Sequence, residues 1–252
     1  MNICFNGCSL TVGEGFPEDQ RDQYIYDRLL EKRFGFNRTN IARGGSSNYT
    51  IFLRSADAIM SGQYNCVITQ WSALNRIWLY PGPDSEFFTN ETVKRPFSYR
   101  DIYLSAEEKA KFVNTLLVLN GDYHNIIDLI KFNNILCCLA KQSHTKVVFI
   151  NGLIPWQQDV SAPLGSDLNS CLSEYTKSLL DFDHRDDSEI VEFFQNLQTH
   201  FSSMDQSSWV NLFDSWFSNV QDVGPEGHHP GIVSHQWMAD TTANFLLENK
   251  IL

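Results

Sequence analysis

The chain has 252 residues, of which 42% are hydrophobic and 19% charged, a composition typical of a globular protein with a buried core. Its formal net charge of −11, without a cluster of Lys and Arg, argues against a nucleic-acid partner, because phosphate binding requires concentrated positive charge. No apolar run has the length of a transmembrane helix, and the first residues do not resemble a signal peptide. We therefore expect a cytoplasmic protein that does not bind membranes.

The six cysteines show no Cys-x-x-Cys spacing, and three of them lie in apolar runs. This pattern favours buried thiols in a reducing compartment, without disulfides and without a metal site.

Short apolar runs alternate with helical patterns along the chain, which predicts parallel strands covered by helices. The predicted strands are residues 3–5, 39–42, 66–69 and 146–150. The predicted helices are residues 19–34, 48–60, 105–141, 168–180, 190–200 and 234–247. We interpret residues 1–252 as one α/β domain with a central parallel sheet and with insertions near 76–103 and 156–220.

Small polar residues follow three of the predicted strands, at the edge of an open parallel sheet where ligands bind. Ser9 follows the first strand, Gly44 and Gly45 the second, and Ser72 the third, while His229 lies near the end of the chain. A serine hydroxyl becomes a nucleophile when a histidine takes its proton, and backbone N–H groups stabilise the oxyanion that forms. A hydrolase site built from several segments of the chain requires such residues at the ends of neighbouring strands.

Three segments resemble the sequence blocks of the SGNH/GDSL hydrolases. Residues 5–13 (FNGCSLTVG) resemble the first block, Gly-Asp-Ser-Leu-Thr-x-Gly, and residues 45–48 (GSSN) resemble the second. Residues 226–230 (EGHHP) resemble the last block, Asp-x-x-His-Pro. The resemblance implies a three-layer α/β/α sandwich of flavodoxin-like character, and an activity on esters, including acetyl groups on carbohydrates, without a cofactor.

The resemblance also implies site residues. Ser9 would be the nucleophile, His229 the base and Glu226 the acid that orients the base. The N–H groups of Ser9 and Gly45 would form the oxyanion hole, with Ser72 as a third donor.

The sequence departs from the family pattern at three positions. Cys8 stands where the family has Asp, and Glu226 also replaces an Asp. In the third block, Ser72 stands where an Asn donates to the oxyanion, so Gln70 and Asn75 are alternative donors. Losing one such donor lowers the rate about 100-fold or more, so low activity is compatible with this sequence.

The residues next to these blocks are candidates for contact with substrate. Asn48, Gln70 and Trp71 follow strand ends, and an aromatic side chain at such a place can stack on a sugar ring. We therefore predict a small-molecule or glycan ester as the partner, whereas the sequence indicates no particular oligomeric state.

Several alternative interpretations stay open. Ser9 could only cap a helix, Asp222 could replace Glu226 as the acid, and Cys8 could be the nucleophile. A metal site at His228, His229 and His235 lacks Cys or Asp ligands at suitable spacing. The chain could also be an SGNH-like binding protein without activity, or an acyltransferase in which an alcohol replaces water.

Overall fold

A computed structural model of the protein describes residues 1–73, 122–152, 203–212, 215–227 and 229–252. The predicted insertion at 76–103 and the predicted helices at 168–180 and 190–200 lie outside the described residues. Of the second predicted insertion, 156–220, residues 203–212 and 215–220 are described.

The described residues form one parallel sheet with helices packed against it. The strands are β1 (Asn2–Asn6), β2 (Asn37–Asn40), β3 (Cys66–Trp71) and β4 (Lys146–Asn151). The helices are α1 (Ser9–Val12), α2 (Glu18–Tyr24), α3 (Tyr26–Phe34), α4 (Asn48–Met60), α5 (Asp122–Gln142) and α6 (Ile232–Glu248). The strand order is β2–β1–β3–β4 with every pairing parallel, which is the order of the flavodoxin-like fold.

The order of the strands places the helices on two faces. The connection from β1 to β2 leads toward the β2 edge of the sheet, whereas the connections from β2 to β3 and from β3 to β4 lead toward the β4 edge. Because such crossovers are right-handed, α3 covers one face while α4 and α5 cover the other. The packing agrees, since α3 contacts α6 and α4 contacts α5. The predicted three-layer α/β/α sandwich with a central parallel sheet is confirmed.

The two central strands are buried on both faces. Ile3, Phe5, Val67 and Ile68 have no exposed surface, whereas the edge strand β2 is partly exposed. Burial on both faces explains why β1 and β3 are continuous apolar runs rather than alternating ones.

Several element boundaries differ from the sequence prediction. Strand β3 continues to Trp71 instead of ending at Thr69, because its last two residues pair in register with Ile150 and Asn151 of β4. The predicted helix at 19–34 is two helices, because Ile25 has an extended backbone. The last helix begins at Ile232, two residues earlier than predicted.

The cysteines in the described residues are free thiols. Cys4 and Cys66 lie in β1 and β3, and burial raises the pKa of each to about 12. The prediction of buried structural thiols in apolar runs is confirmed for these two residues and for Cys137. Among the helices that the structure describes, none has the length and apolar character needed to cross a bilayer.

Candidate active site

The first loop of the site follows β1 directly. Ser9 is the first residue of α1 and is buried, with 4% of its surface exposed. The helix is a single turn that ends at Gly13, whose left-handed backbone (φ 76°) favours glycine. The Ser9 Oγ lies 4.0 Å from the Cys8 Sγ, and within the described residues the Ser9 N–H has no hydrogen-bond partner. Its N–H is therefore available to an oxyanion.

Gln70 holds this loop in place from the neighbouring strand. Its Oε1 accepts hydrogen bonds from the Thr11 Oγ1 at 2.9 Å and from the Cys8 N–H at 3.3 Å. A Cβ on Gly7 would lie 2.5 Å from the Thr11 Oγ1 and 2.8 Å from the Gln70 Oε1, so only glycine fits there. Since Gln70 is completely buried, its predicted contact with substrate is replaced by a scaffolding role.

Cys8 is turned toward Gln70. Its Sγ lies 3.4 Å from the Gln70 Oε1, and the residue has no exposed surface. This placement assigns Cys8 to the support of the loop and disfavours the alternative in which Cys8 is the nucleophile.

The second loop follows β2 and runs beside the first. The Arg43 N–H donates to the Gly7 carbonyl at 3.2 Å, which continues the parallel pairing of the two strands. Gly45 has a left-handed backbone (φ 69°), and within the part of the chain that the structure describes its N–H has no partner. Ser47 then caps α4 by accepting a hydrogen bond from the Thr50 N–H.

Arg54 ties these two loops together, a function that the sequence interpretation missed. Its guanidinium donates to the Ser46 Oγ at 2.7 Å, to the Gly7 carbonyl at 3.3 Å and to the Asn6 Oδ1 at 3.1 Å. Burial and repulsion by Arg43 lower the pKa of Arg54 to about 10, so the side chain stays cationic at neutral pH. The available signal was one arginine within the largely apolar sequence of α4.

The third loop is joined to the second through Asn48. The Asn48 Nδ2 donates to the Ser72 carbonyl at 3.1 Å, and the Ser72 N–H donates to the Asn48 Oδ1 at 2.7 Å. The Ser72 Oγ is buried and has no hydrogen-bond partner among the described residues. The Ser72 hydroxyl is therefore available to donate to a ligand. The Asn48 amide, which was predicted to contact substrate, instead joins the two loops.

Trp71 packs in the core instead of facing a ligand. It is completely buried and stacks on Phe149, with ring centroids 5.9 Å apart and an interplanar angle of 15°. Trp71 was a candidate for contact with substrate, but the strand continues through this residue and turns its ring into the core.

The histidine loop is a narrow connection that leads into α6. Val223 pairs with Pro230, and the Gly224 N–H donates to the His229 carbonyl at 2.8 Å. Glu226 lies in the turn at the far end of this loop, where its side chain is exposed and makes no hydrogen bond or ion pair within the described residues. The acid role of Glu226 stays a prediction.

Asp222, the alternative acid, is engaged at the start of α6. Its carboxylate accepts hydrogen bonds from the Ser234 N–H at 2.8 Å and from the Val233 N–H at 3.0 Å. Burial opposes ionisation, but the hydrogen bond from the Ser234 hydroxyl, together with those from the two backbone N–H groups, outweighs it and holds the pKa of Asp222 below its ordinary value. The residue therefore stabilises the helix that carries the histidine loop.

The histidine loop contacts the serine loop directly at Gly15 and Glu14. A Cβ on Gly15 would lie 2.6 Å from the Pro230 carbonyl oxygen and 3.2 Å from the His229 Cβ, so the two backbones touch. The Glu14 Oε2 lies 3.8 Å from the His229 Nε2. The Glu14 N–H donates to the Ser9 carbonyl at 3.1 Å, so one residue connects the predicted nucleophile and the predicted base.

Glu14 was not singled out from the sequence. The available signal was an acidic side chain between Gly13 and Gly15, inside the block that resembles the nucleophile segment. Its contact with His229 depends on two segments from opposite ends of the chain, and no local pattern encodes such a contact.

His235 belongs to the core. Its Nδ1 accepts a hydrogen bond from the Tyr26 N–H at 3.2 Å, and its ring packs against Trp216 with centroids 5.0 Å apart. Burial lowers the pKa of His235 to about 3, so the ring is neutral. Within the described residues no group of His, Cys, Asp and Glu has the arrangement of a metal site.

The loops after three adjacent parallel strands and the loop before α6 thus form a candidate serine–histidine site on an α/β fold. No family model and no curated protein matches the chain. Among solved structures it is similar to TesA, at 12% identity over 100% of both chains with a TM-score of 0.46. It is also similar to a lipolytic protein of the G-D-S-L family from Desulfitobacterium hafniense, at 9% identity over 97% of this chain and 99% of that one, with a TM-score of 0.47.

A third similar structure is that of Axe2, an acetyl-xylooligosaccharide esterase from Geobacillus, at 10% identity over 97% of this chain and 93% of that one, with a TM-score of 0.46. The sequence blocks resemble those of the SGNH/GDSL hydrolases, and the similar structures include a protein of the G-D-S-L family and an esterase.

Proposed function

We propose that the protein is a serine esterase that removes a small acyl group, such as acetyl, from a hydroxylated small molecule or glycan. The observation that carries the proposal is the contact between the serine loop and the histidine loop. Ser9 and His229 belong to opposite ends of the chain, and Glu14 touches both: its N–H donates to the Ser9 carbonyl and its carboxylate lies 3.8 Å from the His229 Nε2.

The proposed reaction has two steps, acylation of Ser9 and hydrolysis of the acyl-enzyme. His229 takes the proton of the Ser9 hydroxyl as the oxygen attacks the ester carbonyl, and the imidazolium then returns that proton to the departing alcohol. In the second step a water molecule loses a proton to His229, attacks the acyl-enzyme and releases the carboxylic acid. The proton returns to Ser9.

Three unpaired donors support the stabilisation of the oxyanion. The Ser9 N–H, the Gly45 N–H and the Ser72 hydroxyl each lack a partner within the described residues. Ser9 and Ser72 are buried whereas Gly45 is exposed. A buried polar group without a partner is costly, and such groups are kept where they act on a ligand or a transition state. These are the three donors predicted from the sequence blocks.

A fluorophosphonate probe tests the proposal without a choice of substrate. We expect intact-mass measurements to show one added phosphonyl group on the wild-type protein, and peptide mapping to locate it on Ser9. Ser9→Ala should remove the labelling, and His229→Ala should slow it by about 100-fold or more because the base is lost. Ser61→Ala, an exposed serine at the far end of α4, is the matched control and should label as the wild type does.

Absence of labelling in the wild-type protein would contradict the proposal and favour the interpretation as a binding protein without activity. The replacement of the third-block Asn by Ser72 is the observation that suggests this alternative. With an active enzyme, the products formed in the presence of an acceptor alcohol distinguish the remaining alternative. Free acid alone indicates a hydrolase, whereas a new ester indicates an acyltransferase.

A further inference from the structure

Glu14 has an unusual position between two residues of the candidate site. Its Oε2 faces the His229 Nε2 at 3.8 Å, and its Oε1 lies 1.8 Å from the point where a Cβ on Gly44 would be. The carboxylate thus fills the space that the missing side chain of Gly44 leaves, beside the loop that carries Gly45. Glycine at position 44 is needed for this approach.

The two acids of the histidine loop itself do not take this place. Glu226 is exposed in the turn, and no hydrogen bond or ion pair of its carboxylate occurs in the residues that the structure describes. Asp222 accepts hydrogen bonds from Val233 and Ser234 at the start of α6. Among the described residues, a carboxylate that faces the His229 Nε2 comes from the serine loop.

We propose that Glu14 is the positioning residue of His229, in the role that the family resemblance gives to Glu226. This inference rests on the proposed esterase function. Because Glu14 faces the Nε2, the proton of Ser9 goes to the other ring nitrogen of His229, the Nδ1. The imidazole then gains a positive charge, and the Glu14 carboxylate stabilises that charge and fixes the ring. When the proton passes on to the leaving alcohol, the pair returns to neutral imidazole and carboxylate.

Among the described residues, charged and titratable groups lie near His229 on three elements. Glu14 faces it from the serine loop, Glu226 and Asp222 belong to its own loop, and His235 faces it from α6. His235 is neutral, and the charge of Asp222 is engaged by backbone N–H groups. Removing the charge of Glu14 should therefore lower the pKa of His229, because the imidazolium loses its opposite charge.

An NMR titration of the His229 ring in the full chain tests this directly, with His229→Ala used to assign the signal. Both side chains are partly exposed, 27% for His229 and 36% for Glu14, so solvent reduces the effect. We expect Glu14→Gln to lower the pKa of His229 by about 0.5–1 unit. The matched variant Glu226→Gln should change it by about 0.2 units or less, and Glu14→Asp should lie between Glu14→Gln and the wild type.

The labelling rate of Ser9 gives a second, kinetic test. We expect Glu14→Gln to slow fluorophosphonate labelling about 10- to 100-fold and to move the acid limb of its pH profile to lower pH, with an unchanged melting temperature. Glu226→Gln should change the rate less than about threefold. Equal pKa values of His229 in the wild type and Glu14→Gln, or a larger effect of Glu226→Gln, would overturn the inference. An unlabelled wild-type protein would instead contradict the esterase function, while the NMR titration would still decide the pairing of Glu14 with His229.

Discussion

Replacing Gln70 by Leu should destabilise the protein and disable the serine loop together. Gln70 is completely buried, and its side chain is the acceptor for the Cys8 N–H and the Thr11 hydroxyl. Leu has a similar size but no acceptor, so both donors would be left buried and unpaired, at about 1–3 kcal/mol each. The substitution would also remove the hydrogen bond that the Gln70 Nε2 donates to the Trp71 carbonyl. That carbonyl keeps the Gly152 N–H as a donor, so this loss costs less.

We therefore expect Gln70→Leu to lower the free energy of unfolding by about 2–5 kcal/mol, a large part of the stability of an ordinary domain. Urea unfolding measures the change, and an unaltered slope would show that the transition stays two-state. Gln236→Leu, on the exposed face of α6, is the matched control and should cost less than about 0.5 kcal/mol.

A loss below about 1 kcal/mol, or a loss equal to that of the control, would refute the scaffolding role of Gln70. The same samples should be tested with the fluorophosphonate probe. Because the loop that carries Ser9 is held by Gln70, labelling of the folded variant should slow at least about tenfold. Labelling at the wild-type rate would show that the loop keeps its conformation without this side chain.

Three further substitutions test other parts of the site. Gly15→Ala should slow labelling of Ser9 strongly, because its Cβ would lie 2.6 Å from the Pro230 carbonyl oxygen and displace the histidine loop; an unchanged rate would argue against that contact. Asp222→Asn should cost about 0.5–1.5 kcal/mol at pH 7 in thermal unfolding, because the amide keeps one acceptor oxygen for the two backbone N–H groups. Because the folded-state pKa of Asp222 is lowered, its contribution is complete above the unfolded-state pKa and is lost as the pH falls through the folded one, so the variant should lose less stability on acidification. Ser72→Ala should leave the free energy of unfolding unchanged within about 0.5 kcal/mol or raise it, since the buried hydroxyl has no partner in the described residues, yet should lower kcat for ester hydrolysis about 100-fold.

The parts of the fold that were predictable are those with a strong local pattern. The apolar runs at Ile3 and Val147 marked two strands because burial on both faces requires continuous apolar residues. The helix over residues 48–60 was predicted with its observed bounds, since Ser47 supplies a capping hydroxyl and the apolar residues recur at helical spacing. Strand β2 was shifted by two residues because it is a polar edge strand whose pattern barely differs from a loop.

The parts of the site that were not predictable depend on contacts between distant segments. Trp71 and Gln70 were assigned to substrate because they follow an apolar run, whereas pairing with β4 extends the strand and buries both. Arg54 and Glu14 were missed for the same reason. Their partners, Ser46 and His229, are defined only when the loops come together in the folded chain.

The backbone contact between the serine loop and the histidine loop limits the substitutions that this site tolerates. A Cβ on Gly15 or on Gly224 would strike main-chain oxygen, at 2.6 Å from Pro230 and 2.2 Å from Gly15 respectively, so neither clash can be relieved by a change of rotamer. The relative placement of the two loops is therefore set by their backbones, and the two glycines are required before any side chain of the site is chosen.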